Sequence, residues 1–274
     1  MFCDSHNDFL LYKNNQSSIE AYLKNEVEKA GVRCVLSAVY TTDFASEAAM
    51  TEVADRFKAA RAVSERFVCT VEDCFFVTPN NLDKLIELKP FCCTLTWNNQ
   101  NSLAGGANSD AGFSKWGKEV VKELERHNII IDCAHLNRKS FFELADLTSL
   151  PMFNSHTCLC STYDHPRNIT DEQVQVILES GGYIGLTLVN SFFKKSGLVD
   201  CCDIAAQIDR FVQKFGGIGV GIGTDFYGIK EYPIDFYNYT QLGNLKQKLL
   251  ERGLAEEQIG RIFVQNLLSL LPIK

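Results

Sequence analysis

The sequence predicts an α/β protein folded as a (β/α)8 barrel, the TIM-barrel fold. Short apolar runs rich in β-branched residues alternate with longer stretches of helical period, and eight such pairs fit within the 274 residues. That length and that rhythm are typical of the barrel. A doubly wound open sheet is the alternative, but it usually has fewer strands and a glycine-rich first turn, which this sequence does not show. We therefore expect one domain over residues 1–274.

The predicted strands are the apolar runs, and the predicted helices are the stretches between them. The strands are expected at 1–8, 33–42, 66–73, 91–97, 129–135, 151–156, 182–189 and 220–226. The helices are expected at 17–31, 45–64, 80–88, 114–127, 138–148, 171–180, 201–215, 241–252 and 256–271. Thr170, which precedes two acids, and Asn137 predict helix starts. The pairs Gly181-Gly182 and Gly216-Gly217 predict helix ends.

Composition and charge argue against several classes of protein. The net charge is −7 and no block of lysine and arginine stands out, so we expect no nucleic-acid partner. No apolar run reaches the roughly 18 residues that a membrane span needs, so we expect no membrane association. The first residues lack a basic segment followed by an apolar one, which favours a cytoplasmic location over secretion.

The chain has eleven cysteines, most of them inside apolar runs such as FCCTL. Because their number is odd and no export signal is evident, we interpret them as reduced, small core residues. Cys158 and Cys160 form one closely spaced pair, which could bind a soft metal. Without a second pair nearby, the core interpretation is favoured.

Polar side chains gather at the carboxyl ends of the predicted strands. These ends meet at one face of a barrel, where active sites lie, so we expect the side chains to converge there. A single histidine at a strand end is more often a core or loop residue, but that explanation does not account for the whole set. The set is His6, Asp8, Glu72, Trp97, His135, His156 and Asp225.

The residue types in this set favour a metal centre. His6 and Asp8 are two residues apart on a strand, so their side chains point to the same face. Neutral imidazoles and carboxylates are good ligands for Zn²⁺ and similar ions. Five candidates exceed the three protein ligands usual for one catalytic zinc and suggest two metals bridged by a carboxylate. Asp225 then remains as the base that takes a proton from an activated water.

Seven segments, spread almost from end to end, match one known family in their order. They are DSHND (4–8), TVED (70–73), LTW followed by NSLAGGAN (95–108), WGKEVVKELERHNIIIDCAHLN (116–137), NSH (154–156), HPRNITDEQ (165–173) and GIGTDFYG (221–228). The chain resembles the membrane (renal) dipeptidase family, a branch of the amidohydrolase superfamily of metal-dependent barrels. The His-x-Asp motif alone is weak, whereas the ordered combination is specific.

The resemblance implies a barrel of the metal-dependent amidohydrolase type with two divalent ions, most often Zn²⁺. It implies metal ligands at His6 and Asp8 for one ion, at His135 and His156 for the second, and at Glu72 between them. It also implies Asp225 as the catalytic acid/base and Arg167 as the residue that binds the substrate's C-terminal carboxylate. A planar guanidinium suits that task because it can bond a carboxylate with two N–H groups.

Two positions depart from the family pattern. Better-known members end strand 4 with a histidine that bonds the substrate's carbonyl oxygen, and here the residue is Trp97. An indole N–H donates one hydrogen bond but cannot become cationic, and losing such a donor typically costs about 10²–10³ in rate. Either the metals stabilise more of the charge, or Asn98 or Asn99 substitutes, or the preferred substrate differs. Tyr227, where the family often has an acid, is interpreted as a pocket wall or a substrate-facing hydroxyl.

Three functions follow as hypotheses. The leading one is a zinc dipeptidase acting on small dipeptides, including dipeptides with a C-terminal D-residue. The second keeps the barrel and the metals but cleaves another small amide or an N-acyl compound, as Trp97 suggests. The third is a member that binds metal or ligand without catalysis, which the complete set of site residues speaks against. The oligomeric state stays open, with a homodimer as one alternative because family members are often dimers.

Overall fold

Parallel strands close into a barrel in the part of the chain that the computed structural model describes, residues 1–42 and 45–271. The strands follow one another around the barrel in chain order, and the first pairs with the last. All eight predicted strands, and with them the TIM-barrel prediction, are confirmed. The strands are β1 Phe2–Asn7, β2 Val32–Tyr40, β3 Phe67–Glu72, β4 Cys92–Thr94, β5 Ile130–Asp132, β6 Phe153–Thr157, β7 Tyr183–Leu186 and β8 Val220–Ile222.

Three of these strands are shorter than their apolar runs. β4, β5 and β8 have three residues each. The sequence therefore misplaced Trp97, His135 and Asp225, which lie in the loops just after these strands. The apolar character continues beyond the hydrogen-bonded ladder because these loops turn into the buried mouth of the barrel, where residues such as Leu95 and Cys133 are still buried.

Helices cover the outside of the barrel between the strands. They are α1 Phe9–Tyr12, α2 Gln16–Tyr22, α3 Ser46–Val63, α4 Leu82–Glu87, α5 Lys115–Arg126, α6 Arg138–Leu147, α7 Asp171–Glu179, α8 Cys201–Phe215, α9 Leu242–Glu251, α10 Glu256–Gly260 and α11 Asn266–Leu268. A π-helical segment, Leu23–Glu28, continues α2, and another, Arg261–Gln265, joins α10 to α11. Short 3-10 turns lie at Asn190–Phe192 and Tyr239–Gln241.

The predicted helix boundaries have the expected physical causes. The side chain of Thr170 accepts the backbone N–H of Gln173 and begins α7, and Asn137 caps α6 through the N–H of Ser140. α7 and α8 are followed by Gly181 (φ 74°) and Gly216 (φ 85°). Left-handed backbone at these two positions is available to glycine without a Cβ clash.

The apolar core lies between the barrel and its helices, and a second cluster closes the amino-terminal end of the barrel. Phe153 and Tyr183 stack there, with ring centroids 5.3 Å apart, and Leu267 and Leu271 belong to the same cluster. Of the eleven cysteines, nine are buried and all are unpaired. In the part of the chain that the structure describes, no helix combines the length and apolar character needed to cross a membrane.

Glycines on the last two strands make room inside the barrel beneath its mouth. A Cβ on Gly185 would lie 2.0 Å from the carbonyl oxygen of Ser155 and 2.2 Å from the hydroxyl of Ser5. A Cβ on Gly223, just after β8, would meet the same carbonyl at 2.0 Å. The hydroxyl of Ser5 donates to that carbonyl at 2.7 Å, so three segments touch at this point. Only glycine fits at these two positions without moving backbone.

A buried carboxylate joins β1 to the loop after β8. Asp4, which is fully buried, accepts hydrogen bonds from the backbone N–H of Thr224 at 2.8 Å and from its hydroxyl at 2.5 Å. Tyr239 donates to the same carboxylate at 2.5 Å, and Asn7 donates to the Tyr239 hydroxyl at 2.8 Å. These bonds hold the end of β1 against the segment that carries Asp225.

A first prediction concerns the glycines inside the barrel. We expect Gly185→Ala to lower the free energy of unfolding by about 2 kcal/mol or more, because the new methyl group meets a backbone carbonyl that cannot move aside. The matched control is Gly217→Ala, because no atom lies within 4 Å of the added Cβ. Urea denaturation of both variants measures the difference, and equal stability would contradict the close approach.

Candidate active site

A pocket of about 740 Å³ opens at the carboxyl ends of the strands. Its lining includes six of the residues selected from the sequence at the strand ends and, from the loop after β6, Arg167. The members shared with the sequence prediction are Asp8, Glu72, Trp97, His135, His156, Arg167 and Asp225. The volume suits a small ligand. The structure thus brings these predicted residues to one place.

Two histidines and three carboxylates form a cluster at this pocket. The Nε2 atom of His6 lies 3.3 Å from Asp8 Oδ2, 3.9 Å from Glu72 Oε1 and 4.0 Å from Asp225 Oδ1. On the other side of Glu72, its Oε1 lies 2.9 Å from His135 Nε2. Glu72 therefore lies between the two histidines, at the position expected of a bridging carboxylate.

His156 completes the cluster from β6. Its Nε2 lies 2.9 Å from His135 Nε2, and its ring lies 3.9 Å from the His6 ring between centroids. The five predicted metal ligands are all between 1% and 6% exposed. Two groups have ligand atoms within 4.8 Å of one another: His6 with Glu72 and His156, and His6 with Asp8 and Asp225. The resemblance implies that His6 and His156 bind different ions, whereas the first group places them together.

The protonation equilibria of these groups reflect their burial. Burial raises the pKa of Asp8 to about 7 and that of Asp225 to about 8, and it raises the pKa of Glu72 well above its usual range. Burial also lowers the pKa values of His135 and His156 well below their usual range, so both imidazoles are neutral at pH 7. Close carboxylates with neutral imidazoles are a donor set that binds a divalent cation well.

Unsatisfied atoms support the same conclusion. Within residues 1–42 and 45–271, His6 Nε2 and Asp8 Oδ1 are buried without a hydrogen-bond partner. Buried polar atoms normally have one, so each unpartnered atom calls for a ligand or another explanation. Both atoms belong to the cluster around Glu72. The residues present therefore fit a metal centre.

The loops that carry two of the site residues adopt uncommon backbone. His135 has φ 69° and Asp225 has φ 59°, which lie in the left-handed region that residues other than glycine rarely adopt. Such strain persists where surrounding contacts enforce it, often at functional sites. At His135 the carbonyl accepts the backbone N–H of Ala107 at 2.8 Å, and Leu136 forms a bridge with Gly106.

Ser155 orients two of the histidines, a role that the sequence did not reveal. Its hydroxyl lies 2.8 Å from Nδ1 of His156 and 3.4 Å from Nδ1 of His6. The Ser155 backbone N–H donates to Asp132 at 3.0 Å, and the same Asp132 oxygen accepts from Ala134. Asp132 therefore supports the histidines through Ser155.

Arg167 reaches the cluster from the loop after β6. Its guanidinium donates to Asn98 Oδ1 at 3.2 Å and lies 2.9 Å from His156 Nε2. Asn98 Oδ1 also lies 3.0 Å from His135 Nδ1, so one amide oxygen contacts both a histidine and the arginine. Burial lowers the pKa of Arg167 to about 10, which keeps the group cationic at neutral pH. A fixed cation thus faces the pocket beside the histidines.

Comparison with known proteins decides the family. Residues 11–273 match the family model described as membrane dipeptidase, peptidase family M19. The chain belongs to the membrane dipeptidase family. The matched residues begin after His6 and Asp8, so the family match does not include these two residues. Only the structure places their side chains in the site.

This membrane dipeptidase family member is similar to one curated relative in sequence and to two solved structures in fold. An uncharacterized dipeptidase of Schizosaccharomyces pombe is 29% identical over 186 residues, which are 64% of this chain and 44% of the relative, so the match spans less than half of that relative. A metallopeptidase of Rhodobacter sphaeroides, solved with a phosphinate mimic of the dipeptide L-Ala-D-Ala, is 21% identical, with a TM-score of 0.86 over 98% of this chain and 97% of its own. An amidohydrolase of Pseudomonas aeruginosa is 19% identical, with a TM-score of 0.81 over 98% and 95%.

The two residues that depart from the family pattern, Trp97 and Tyr227, differ in their position relative to the pocket. Trp97 lines the pocket, as expected. Tyr227 lies outside the pocket lining, and its hydroxyl donates to Glu26 at 2.8 Å. The structure therefore does not support Tyr227 as a substrate-facing hydroxyl, because its side chain packs toward the π-helical segment after α2. Of the two asparagines considered as substitutes, Asn98 contacts the cluster, whereas Asn99 is exposed and bonds Asn108 at 3.3 Å.

A second prediction concerns Asn98. We expect Asn98→Ala to weaken divalent metal binding about 10- to 100-fold, because His135 loses the partner that fixes its ring. Chelator competition with zinc measures the affinity directly. The matched control is Asn99→Ala, an exposed neighbour of the same type. Similar affinity in the two variants would remove Asn98 from the site.

Proposed function

We propose that the protein is a metal-dependent dipeptidase, which hydrolyses the peptide bond of dipeptides that carry a free C-terminal carboxylate. The observation that carries this proposal is the buried cluster of histidines and carboxylates with the cationic Arg167 beside it, in one pocket of about 740 Å³. Membership of the membrane dipeptidase family supports the same activity. A dipeptide is small enough for a pocket of this volume.

Two divalent ions, proposed to be Zn²⁺, belong to this function. His6 and Asp8 would hold one ion, His135 and His156 the other, and Glu72 would bind both. Glu72 Oε1 lies 3.9 Å from His6 Nε2 and 2.9 Å from His135 Nε2, which supports its place between the two ions. Bound ions would polarise the scissile carbonyl and lower the pKa of a water at the site. The neutral imidazoles and the mixed nitrogen and oxygen donors suit zinc.

Asp225 is the proposed acid/base. It lies on the same side of the cluster as His6 and Asp8, and its side chain is 15% exposed, so it can reach both the buried donors and the pocket. It would accept a proton from the attacking water while the oxygen–carbon bond forms. It would then give that proton to the amine as the carbon–nitrogen bond breaks.

Arg167 is the proposed anchor for the substrate carboxylate. Its guanidinium lies over the ring of Phe192, with its central carbon 5.3 Å from the ring centroid, and is held in place by Asn98. A planar group with several N–H donors can bond a carboxylate with two of them. Substrates without a free carboxylate close to the scissile bond would lose this contact.

A second candidate is hydrolysis of another small amide or an N-acyl amino acid. Trp97 is the observation that favours it, because the family's histidine at this position would bond the carbonyl oxygen of a dipeptide. Trp97 provides an apolar surface there, which changes what the pocket can bind. The two candidates share the metal centre and the proton transfer by Asp225.

A third prediction separates these candidates. Zinc-loaded protein is assayed on dipeptides of L-L and L-D configuration, on their C-terminal amides and on N-acyl amino acids. We expect turnover of the free dipeptides, at least tenfold lower kcat/KM for the amides, and loss of turnover after chelation that two equivalents of zinc restore. No dipeptide turnover with turnover of N-acyl compounds would favour the second candidate, and turnover that survives complete chelation would exclude the metal centre.

A fourth prediction concerns proton transfer. We expect Asp225→Asn to lower kcat by about 10²–10⁴, because the amide cannot accept or return the proton. Thermal stability and circular dichroism should show a folded protein, and KM should change less than kcat. The control is Asp110→Asn, an exposed acid outside the pocket lining. Turnover of the Asp225 variant at the wild-type rate would refute this role.

A further inference from the structure

An exposed aromatic side chain stands beside the buried polar cluster. Trp97 follows β4 and lines the pocket, yet 41% of it is exposed. Its ring centroid lies 6.0 Å from that of Tyr40, the last residue of β2, and 5.9 Å from that of His135. Tyr40 also lines the pocket. We call Trp97 and Tyr40 together the aromatic shelf.

The backbone that carries Trp97 is held firmly. A Cβ on Gly106 would lie 2.2 Å from the Trp97 carbonyl oxygen, so two chain segments are in direct contact there. The backbone N–H of Asn108 donates to the Asn98 carbonyl at 2.7 Å, and that of Ala107 donates to His135. The loop after β4 is therefore tied to the loop after β5. These contacts fix the backbone at Trp97, and with it the exposed position of the indole.

An exposed indole in a ligand pocket is suited to apolar contact. Tryptophan and tyrosine provide large apolar faces, and pairs of aromatic rings gain favourable contact beyond area burial. The shelf is an apolar surface next to Glu72 and His135, both of which line the same pocket. A substrate side chain that covers the indole would remove its apolar face from water.

We propose that the aromatic shelf binds the side chain of the N-terminal residue of a dipeptide and gives the enzyme a preference for aromatic or large apolar residues at that position. The inference rests on the proposed dipeptidase function and adds the class of substrate. It concerns Trp97 and Tyr40, which the metal centre and the proton transfer do not use.

The positions around the barrel assign the N-terminal residue to the shelf. Arg167, the proposed carboxylate anchor, lies in the loop after β6, whereas the shelf extends from β4 to β2. Tyr40 pairs with Glu72 in the register of β2 and β3, so the Tyr40 end of the shelf flanks the cluster on the side away from β6. A dipeptide with its carboxylate at Arg167 and its scissile bond at the cluster would extend its N-terminal residue toward Tyr40.

The test compares kcat/KM for Phe-Ala, Ala-Phe and Ala-Ala in wild type and variants. In Trp97→Ala, we expect the ratio of Phe-Ala to Ala-Ala to fall about tenfold, because the apolar partner of the phenyl ring is lost. The ratio of Ala-Phe to Ala-Ala should change less than threefold. An unchanged first ratio, or an equal fall in both ratios, would overturn the proposal.

A conservative variant excludes a different role for Trp97. Trp97→Phe keeps an aromatic surface but removes the indole N–H, so the shelf predicts that the Phe-Ala to Ala-Ala ratio stays within about twofold of wild type. If the N–H instead bonded the scissile carbonyl, kcat would fall for both substrates and the ratio in Trp97→Ala would not change. That result would refute the shelf.

A binding measurement gives a readout that needs no turnover. The chain has two tryptophans, so in Trp116→Phe Trp97 is the one tryptophan left, and excitation at a wavelength that tyrosine does not absorb reports on it alone. Trp116 lies outside the pocket lining and bonds the Val77 carbonyl at 3.3 Å. Titration with phosphinate analogues of Phe-Ala and Ala-Ala should show a blue shift and about tenfold tighter binding for the first. Equal affinity without a spectral shift would overturn the shelf.

The two measurements separate the proposals. If wild type hydrolyses no dipeptide of either configuration, the proposed function fails, while the titration with the analogues still decides whether the shelf binds an apolar side chain. If Ala-Ala is hydrolysed and the Phe-Ala ratio is unaffected by Trp97→Ala, the dipeptidase function stands and the shelf is refuted.

Discussion

Three carboxyl groups of like charge share one buried space at the mouth of the barrel, and much of the surrounding structure serves to hold them there. Asp8, Glu72 and Asp225 all lie within 4.0 Å of His6 Nε2, and burial raises the pKa of each. The carboxylate oxygens of Asp8 and Asp225 lie within 4.8 Å of each other, and when ionised such groups repel strongly in a medium of low dielectric constant. Either protons or bound cations must balance these negative charges. His135 and His156 are neutral, so they do not balance the charges themselves, but they can help to bind a cation.

The closed barrel resists this repulsion because its first and last strands are joined. Asp8 follows β1 and Asp225 follows β8, and the two strands are neighbours only because the sheet closes. The bonds of Asp4 with Thr224 and Tyr239 tie the same two segments beneath the cluster. One carboxylate thus supports the position of two others without taking part in the site itself.

The regular part of this arrangement could be predicted from the sequence. The alternation of apolar runs and helical stretches predicts the barrel, and His6 and Glu72 could be selected because they close such runs. His135 and Asp225 were found by the same rule, although they lie in loops, because the apolar character continues past the end of each short strand.

The supporting residues could not be found in this way. Ser155 lies next to His156 in β6, and strict alternation would point their side chains to opposite faces. The pairing of β6 with β7 is irregular between Asn154 and Thr157, so this rule fails there. Asn98 and Arg167 are 69 residues apart, and Tyr239 lies 235 residues from Asp4. Contacts at such separations depend on how loops fold, which no local pattern records.

The hydroxyl of Ser155 has a consequence for the tautomers of two histidines. A hydroxyl oxygen has two lone pairs and can accept two hydrogen bonds. When the Nδ1 atoms of His6 and His156 both carry the proton and donate to this oxygen, both Nε2 atoms keep a lone pair directed into the cluster. One serine, placed by Asp132, then favours the same tautomer in two neighbouring imidazoles that come from β1 and β6.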